Sequence, residues 1–307
     1  VAHAQRLDDD LFLIDTHYNE TPQTIGAFLL AGERPALIET GPAARVETVL
    51  HGVRDAGLDP AALQAVAVTH IHLDHAAATG VLVRRFPHLE VYVHPLGAPH
   101  LADPNRLLAS ARRLYGDELE RLFGEVLPVP AGRLRTLADG ERVRLGNRTL
   151  TALDTPGHAR HHLVYLDESS GDMFTGDAAG VALPGARYVR PPTPPPEIDL
   201  PAWDATIARL RALRPRRLLL THFGPHEWTD ELLAQLHDRL HALSGVVERA
   251  LAAGLDEDAV VARVQRWLLD DIRTHHGAEA AGRFEVIMST RLSVLGLIRY
   301  IQRARDG

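Results

Sequence analysis

The sequence predicts a mixed α/β region over residues 1–227, followed by an all-helical extension over 228–307. Up to about residue 227, short apolar and β-branched runs of strand length alternate with stretches of helical periodicity. From Thr229 onward only helical periodicity remains. The strand-like runs also fall into two series, before and after a helical stretch at 105–126, which hints at two similar halves.

The first series begins with LFLIDT (11–16), IGAFLLA (25–31) and the run at 35–39, each closed by turn residues. Residues 44–57 carry apolar side chains at helical spacing and end at Gly57, a C-cap residue. LQAVAVT (63–69) is almost continuously apolar, as a strand covered on both faces must be, and LEVYVH (89–94) is a further strand. The second series comprises residues 142–146, 148–155, 162–167 and 172–177. RPPTPPPEIDLP (190–201) reads as an extended, polyproline-like crossing. A helix at 202–213 then leads to the strand RRLLLTH (216–222). The extension divides into helices at about 229–253, 257–273 and 279–304, with Asp256 capping the second.

At 307 residues with 45% hydrophobic and 24% charged residues, the composition is that of a globular protein with a sizeable core. No apolar run approaches the roughly 20 residues needed to span a bilayer. The longest candidate, VIMSTRLSVLGLIRY, is broken by Arg291 and Arg299, so no membrane partner is expected. No signal-peptide pattern is found at the N-terminus, and the expected location is cytoplasmic. The chain has no cysteine, which excludes disulfides and thiolate ligands. A net charge of −7 argues against a nucleic-acid partner. Eighteen histidines point instead to metal or proton chemistry.

Four segments share one local grammar, a histidine or aspartate just after a strand-like run: VTHIHLDH (68–75), DTPGH (154–158), FTGDA (174–178) and LLTHFG (219–224). Together they offer His70, His72, Asp74, His75, His158, Asp177 and His222. Imidazoles and carboxylates suit zinc, and also iron or manganese. His70 and His72 alternate on an extended turn and can grip one ion, while Asp74 and His75 project toward another. Seven ligands are too many for one tetrahedral ion, and suit two divalent ions with zinc foremost.

The ordered motif His70-Ile71-His72-Leu73-Asp74-His75, completed by His158, Asp177 and His222, resembles the metallo-β-lactamase fold superfamily over roughly residues 10–227. The resemblance implies an αββα sandwich of two similar halves with the site at one edge of its sheets. It implies that His70, His72 and His158 hold one ion, that Asp74, His75 and His222 hold the other, and that Asp177 bridges them. It further implies hydrolysis by a bridging hydroxide, with Asp74 orienting it and serving as the catalytic residue. The family usually places an aspartate in a DTG-like segment where this chain has Glu39 in ETG, a substitution that bears on how the ligands are supported.

The expected substrate is a small ester, thioester or lactone. The helical extension fits a glyoxalase-II-like thioesterase, but the chain contains no lysine for that family's glutathione-recognising motifs. The lactonase tyrosine three residues after the bridging aspartate is replaced by Gly180. Other readings are a mononuclear iron persulfide dioxygenase, a phosphodiesterase of the same fold, and a metal-binding interaction module. Tyr188 and Arg190, before the proline-rich crossing, are substrate-side candidates, as are His17, with its neighbour Tyr18, and His226. The apolar stripe of the last helix suits packing on the main region or a homodimer contact.

Overall fold

The computed structural model describes residues 3–185, 188–276 and 278–306. Two sheets face each other. The first runs in order β1 (Ala4–Arg6), β2 (Leu11–Asp15), β3 (Gly26–Leu30), β4 (Ala36–Ile38), β5 (Ala65–Ala67), β6 (Glu90–Val93) and β7 (Leu134–Thr136). Its pairings are antiparallel up to β4 and parallel beyond. The second holds β8 (Arg142–Leu145), β9 (Arg148–Asp154), β10 (Leu163–Asp167), β11 (Asp172–Gly176), β12 (Arg217–Leu220) and β13 (Gly224–Glu227), adjacent in chain order. Only its β11–β12 pairing is parallel.

The side-chain alternation of the strands explains the layering. Leu13, Phe28, Ile38 and Ala67 from the first sheet meet Leu150, Tyr165, Phe174 and Leu219 from the second in the central core. The opposite faces are covered by helices. On the first sheet lie α1 (Val46–Asp55), α2 (Leu73–Ala76), α3 (Thr79–Arg85), α4 (Ala98–Ala102), α5 (Asn105–Tyr115) and α6 (Glu118–Phe123), whose apolar residues join Leu29, Leu37 and Val66. On the second lie α7 (Leu200–Leu213), α8 (Asp230–Ala252), α9 (Glu257–His276) and α11 (Thr290–Asp306), with α10 (Ala278–Ile287) beside them. Strands covered on both faces read as unbroken apolar runs; β3 and β5 are buried throughout.

Several boundaries differ from the sequence expectation. The helical stretch at 105–126 is two helices, broken where Gly116 takes a left-handed φ of 53°. The helix expected at 279–304 is likewise two. The second starts afresh at Thr290, whose N–H donates to Glu285 Oε1 at 2.9 Å and whose hydroxyl donates to Glu285 Oε2 at 2.6 Å. The edge strands β1, β7 and β13 were too short or too polar to stand out.

Buried ion pairs tie the second sheet together. Arg148 donates to Asp167 at 2.6 Å and also pairs with Asp10. Asp172 receives Arg216 at 2.8 Å and Arg217 at 2.6 Å. The extension closes onto the proline-rich crossing at Gly296 of α11, where an added Cβ would lie 2.0 Å from the Thr193 carbonyl oxygen. Among the described residues no helix is long and apolar enough to cross a membrane.

Candidate metal centre

The seven sequence-predicted ligands meet at one edge of the sandwich. His70 and His72 follow β5, Asp74 and His75 lie in α2, and His158, Asp177 and His222 follow β9, β11 and β12. His70, His72 and His158 form one group and Asp74, His75 and His222 a second, with the potential ligand atoms within each group no more than 4.8 Å apart. In the first, His72 Nδ1 stands 2.9 Å from His70 Nε2 and 3.0 Å from His158 Nε2. In the second, Asp74 Oδ2 lies 3.6 Å from His75 Nε2 and 3.4 Å from His222 Nε2. Asp177 stands between them: Oδ2 is 3.2 Å from His158 Nε2, while Oδ1 is 3.3 Å from His75 Nε2 and 3.4 Å from His222 Nε2.

Hydrogen bonds behind the imidazoles set which nitrogen faces inward. His158 Nδ1–H donates to the Pro192 carbonyl at 2.8 Å, and His222 Nδ1–H to the Thr24 carbonyl at 2.7 Å. His75 Nδ1–H donates to Glu39 Oε1 at 3.1 Å. His70 Nδ1–H donates to the Thr69 hydroxyl at 3.0 Å, which in turn donates its own hydrogen bond to Glu39. In each case Nε2 is left to present a lone pair to the centre. Glu39 also groups by distance with His70 and His75, but its oxygens meet Nδ1 of His75 and the Thr69 hydroxyl, on the side away from Asp177. It occupies a left-handed conformation, φ 66°, at the end of β4, an arrangement an L-residue adopts only when its surroundings hold it there.

The electrostatics suit cations. Burial, and then its neighbour His158, pushes the His72 imidazole down to about 3, so it is neutral and free to ligate. Burial also lowers His75, but Asp74, Asp177 and Glu39 outweigh it and hold that imidazole well above its ordinary value. The carboxylates of Asp177 and Asp74 raise His222 against its burial. This half of the site therefore attracts positive charge. Asp177 Oδ1 is buried without a hydrogen-bond partner, as expected of an atom facing a cation position. Imidazoles with fixed tautomers, two carboxylates and no thiolate fit divalent ions of the zinc, iron or manganese type.

The sequence reading missed much of the surrounding support. His162 bonds the Thr155 hydroxyl through Nδ1 at 2.9 Å and accepts from the Asp177 backbone N–H through Nε2 at 3.1 Å. Its position beside a predicted ligand was the available signal. Gly176 lets this layer close up: a Cβ there would sit 2.4 Å from Thr69 Oγ1 and 2.7 Å from His162 Nε2.

A cleft of about 470 Å³ opens over the site, reaching His72, Asp74, Asp177 and His222. Of the two carboxylates at the centre Asp74 is the more accessible, with 28% of its side chain exposed against 5% for Asp177. The walls come from α5 (Leu107, Tyr115), α6 (Leu122), the α10–α11 junction (Met288, Leu292) and from Pro192 and Pro194. Of the early pair, Tyr18 lines the cleft and His17 does not; His17 lies 3.5 Å from Asp15. Tyr188 and Arg190 are absent from the lining, in contrast to the expectation. Tyr188 is buried against Phe284, with the Arg239 guanidinium 4.1 Å from its ring centre. Arg190 is buried and donates to Thr290 Oγ1 at 3.2 Å. His226, in β13, is also buried away from the lining. Tyr188 and Arg190 pack against the extension, while prolines that follow them line the cleft.

A two-sheet sandwich with helices outside carries, at the edge of its sheets, a His/Asp centre with the donor set of a divalent-metal site. The chain belongs to the metallo-beta-lactamase superfamily, whose family model matches residues 23–222. It is 27% identical over 210 residues to a metallo-beta-lactamase fold-containing protein of Sulfurisphaera tokodaii, covering 67% of this chain and 75% of that one. It is 29% identical over 131 residues to a hydroxyacylglutathione hydrolase of a Synechococcus species, covering 43% of this chain and 39% of the relative. It is also 29% identical over 195 residues to the human acyl-coenzyme A thioesterase MBLAC2, covering 57% and 65% respectively. The chain thus spans less than two thirds of the length of both of these relatives. A metallo-beta-lactamase family protein of Thermus thermophilus shares the fold with a TM-score of 0.71 at 20% identity, over 98% of this chain and 95% of that one. Named hydrolases thus stand among the relatives of this chain.

Proposed function

We propose that the protein is a dinuclear zinc hydrolase of small esters, thioesters or lactones. The observation that carries this reading is Asp177, whose two carboxylate oxygens face the two ligand groups separately. Two ions bound there would supply a hydroxide at neutral pH and polarise a substrate carbonyl.

The chain's own residues supply the rest. His70, His72 and His158 would hold one ion; Asp74, His75 and His222 the other; Asp177 would join them. Asp74, exposed on its cleft side, would orient the attacking water and hold a proton for the leaving group. The cleft would exclude bulk water from the acyl side through Leu107, Tyr115, Met288 and Leu292. Arg291 is the cleft's cationic lining residue and is already paired with Glu257 at 2.6 Å and Asp258 at 2.8 Å. That lining favours an uncharged, apolar acyl group over a phosphodiester or a multiply anionic substrate. The name of one relative, an acyl-coenzyme A thioesterase, supports the same substrate class.

The test is turnover of a panel of thioesters, lactones and phosphodiesters by protein of measured metal content. The reading requires acyl substrates to be hydrolysed and metal removal to stop turnover. Turnover of the phosphodiesters alone would overturn the substrate class.

A further inference from the structure

A second group of metal-capable side chains lies on the outer surface, where α7 meets α8, and shares no residue with the centre described above. His237 and His241 are one helical turn apart on α8, the spacing that places two side chains next to each other. Their ring centres are 4.7 Å apart. Both rings turn Nε2 toward the same oxygen of Asp204 on α7, at 3.6 Å from His237 and 2.8 Å from His241. The potential ligand atoms of all three residues lie within 4.8 Å of one another. The group is open to water, with side-chain exposures of 45% for His237, 43% for His241 and 35% for Asp204.

A further contact orients the ligand set. His237 Nδ1 lies 3.1 Å from Asp238 Oδ1, a carboxylate that accepts the Nδ1–H hydrogen bond and leaves the Nε2 lone pair directed at Asp204. In a tetrahedral zinc site with bonds of about 2.0–2.2 Å, neighbouring ligand atoms stand roughly 3.3–3.6 Å apart. The His237–Asp204 separation already matches this, and the His241–Asp204 hydrogen bond has only to open by a fraction of an ångström.

We propose that Asp204, His237 and His241 form a surface site for a divalent transition-metal ion, its remaining positions filled by water. Two imidazoles and one carboxylate select zinc, nickel or copper over magnesium or calcium. The three ligands come from two helices distant in sequence, so the ion binds the folded chain and fastens α7 to the first helix of the extension. Its role is structural: the ligands lie outside the substrate cleft.

The experiment compares the metal-loaded protein with His241→Ala and His237→Gln, each retaining its catalytic ions. The proteins are dialysed against buffered free nickel or zinc, and bound metal is counted. Wild type is expected to take up one ion per chain more than either variant and to melt at a higher temperature with nickel, a rise the variants lack. Hydrolysis rates without added metal should be equal in all three. Equal metal uptake and equal melting shifts in wild type and variants would overturn the site. Copper(II) added to the zinc-loaded wild type gives a reading independent of any variant's folding. Nitrogen hyperfine coupling from two imidazoles is expected in its paramagnetic spectrum, and a bound copper signal without nitrogen coupling would contradict the proposal.

Discussion

Glu39 stands directly behind His75: its Oε1 accepts from Nδ1–H at 3.1 Å while the opposite side of the ring, Nε2, lies 3.3 Å from Asp177 Oδ1. The same carboxylate receives the Thr69 hydroxyl and the Thr69 backbone N–H. The longer glutamate thus reaches a ring-orienting position from a left-handed backbone turn. Glu39→Gln keeps the shape but loses the charged acceptor. It should weaken metal retention by about 10–100-fold, the usual cost of losing such a partner. Competition with a chelating dye measures this; unchanged retention would show that Glu39 does not support the site.

Asp74→Asn should leave the fold intact, because Asp74 is the half-open member of the site and the one residue of the short α2 that is not buried. Turnover should fall by at least about 100-fold, the lower range for losing a positioned acid–base group. Circular dichroism and initial rates on one sample separate loss of chemistry from loss of fold.

The cleft wall offers a specificity test. Ser110 lines it from α5. Ser110→Trp fills space on the acyl side and should reduce kcat/KM for long acyl chains by tenfold or more, about 1.4 kcal/mol in the transition state. Short acyl substrates should change little, and a chain-length series checks the difference.

Arg148 is nearly enclosed, with 8% of its side chain exposed, and its partner Asp167 is fully buried. Arg148→Met leaves that carboxylate without its cation and should cost about 3–5 kcal/mol. Urea unfolding with an unchanged m-value would measure the loss.

Burial raises the Asp172 carboxyl, but hydrogen bonds from Arg217 and Arg216 outweigh it, and its folded value lies below the ordinary one. The contribution to stability is therefore present above the unfolded value of about 3.9 and is lost as pH falls through the folded value. Melting temperature should drop steeply below about pH 4, and Asp172→Asn should flatten that acid limb while lowering stability at neutral pH.

The ligands were legible in the sequence because each sits immediately after a strand, where local pattern and residue type coincide. His70 and His72 follow the continuous apolar run of β5, and Asp177 follows β11. The cleft was not legible. Leu107 and Met288 meet across it only through packing of helices distant in the chain, and nothing local in either helix reports that. Tyr188 and Arg190 illustrate the converse. They adjoin the prolines that do line the cleft, yet their side chains turn toward Phe284 and Thr290. The break between α10 and α11 contains neither glycine nor proline and depends on Glu285 bonding Thr290. His162 was visible as a residue but not as a partner of Asp177, since that contact joins two strand ends.

Asp177 stands between the two proposed metal positions. Anomalous diffraction from crystals of the protein as purified, collected on both sides of the zinc absorption edge, tests this arrangement directly. The expected result is two peaks about 3.5–4 Å apart, one among His70, His72 and His158, the other among Asp74, His75 and His222, with Asp177 between them. A single fully occupied peak there, or none in protein that still turns over its substrate, would contradict the two-metal account.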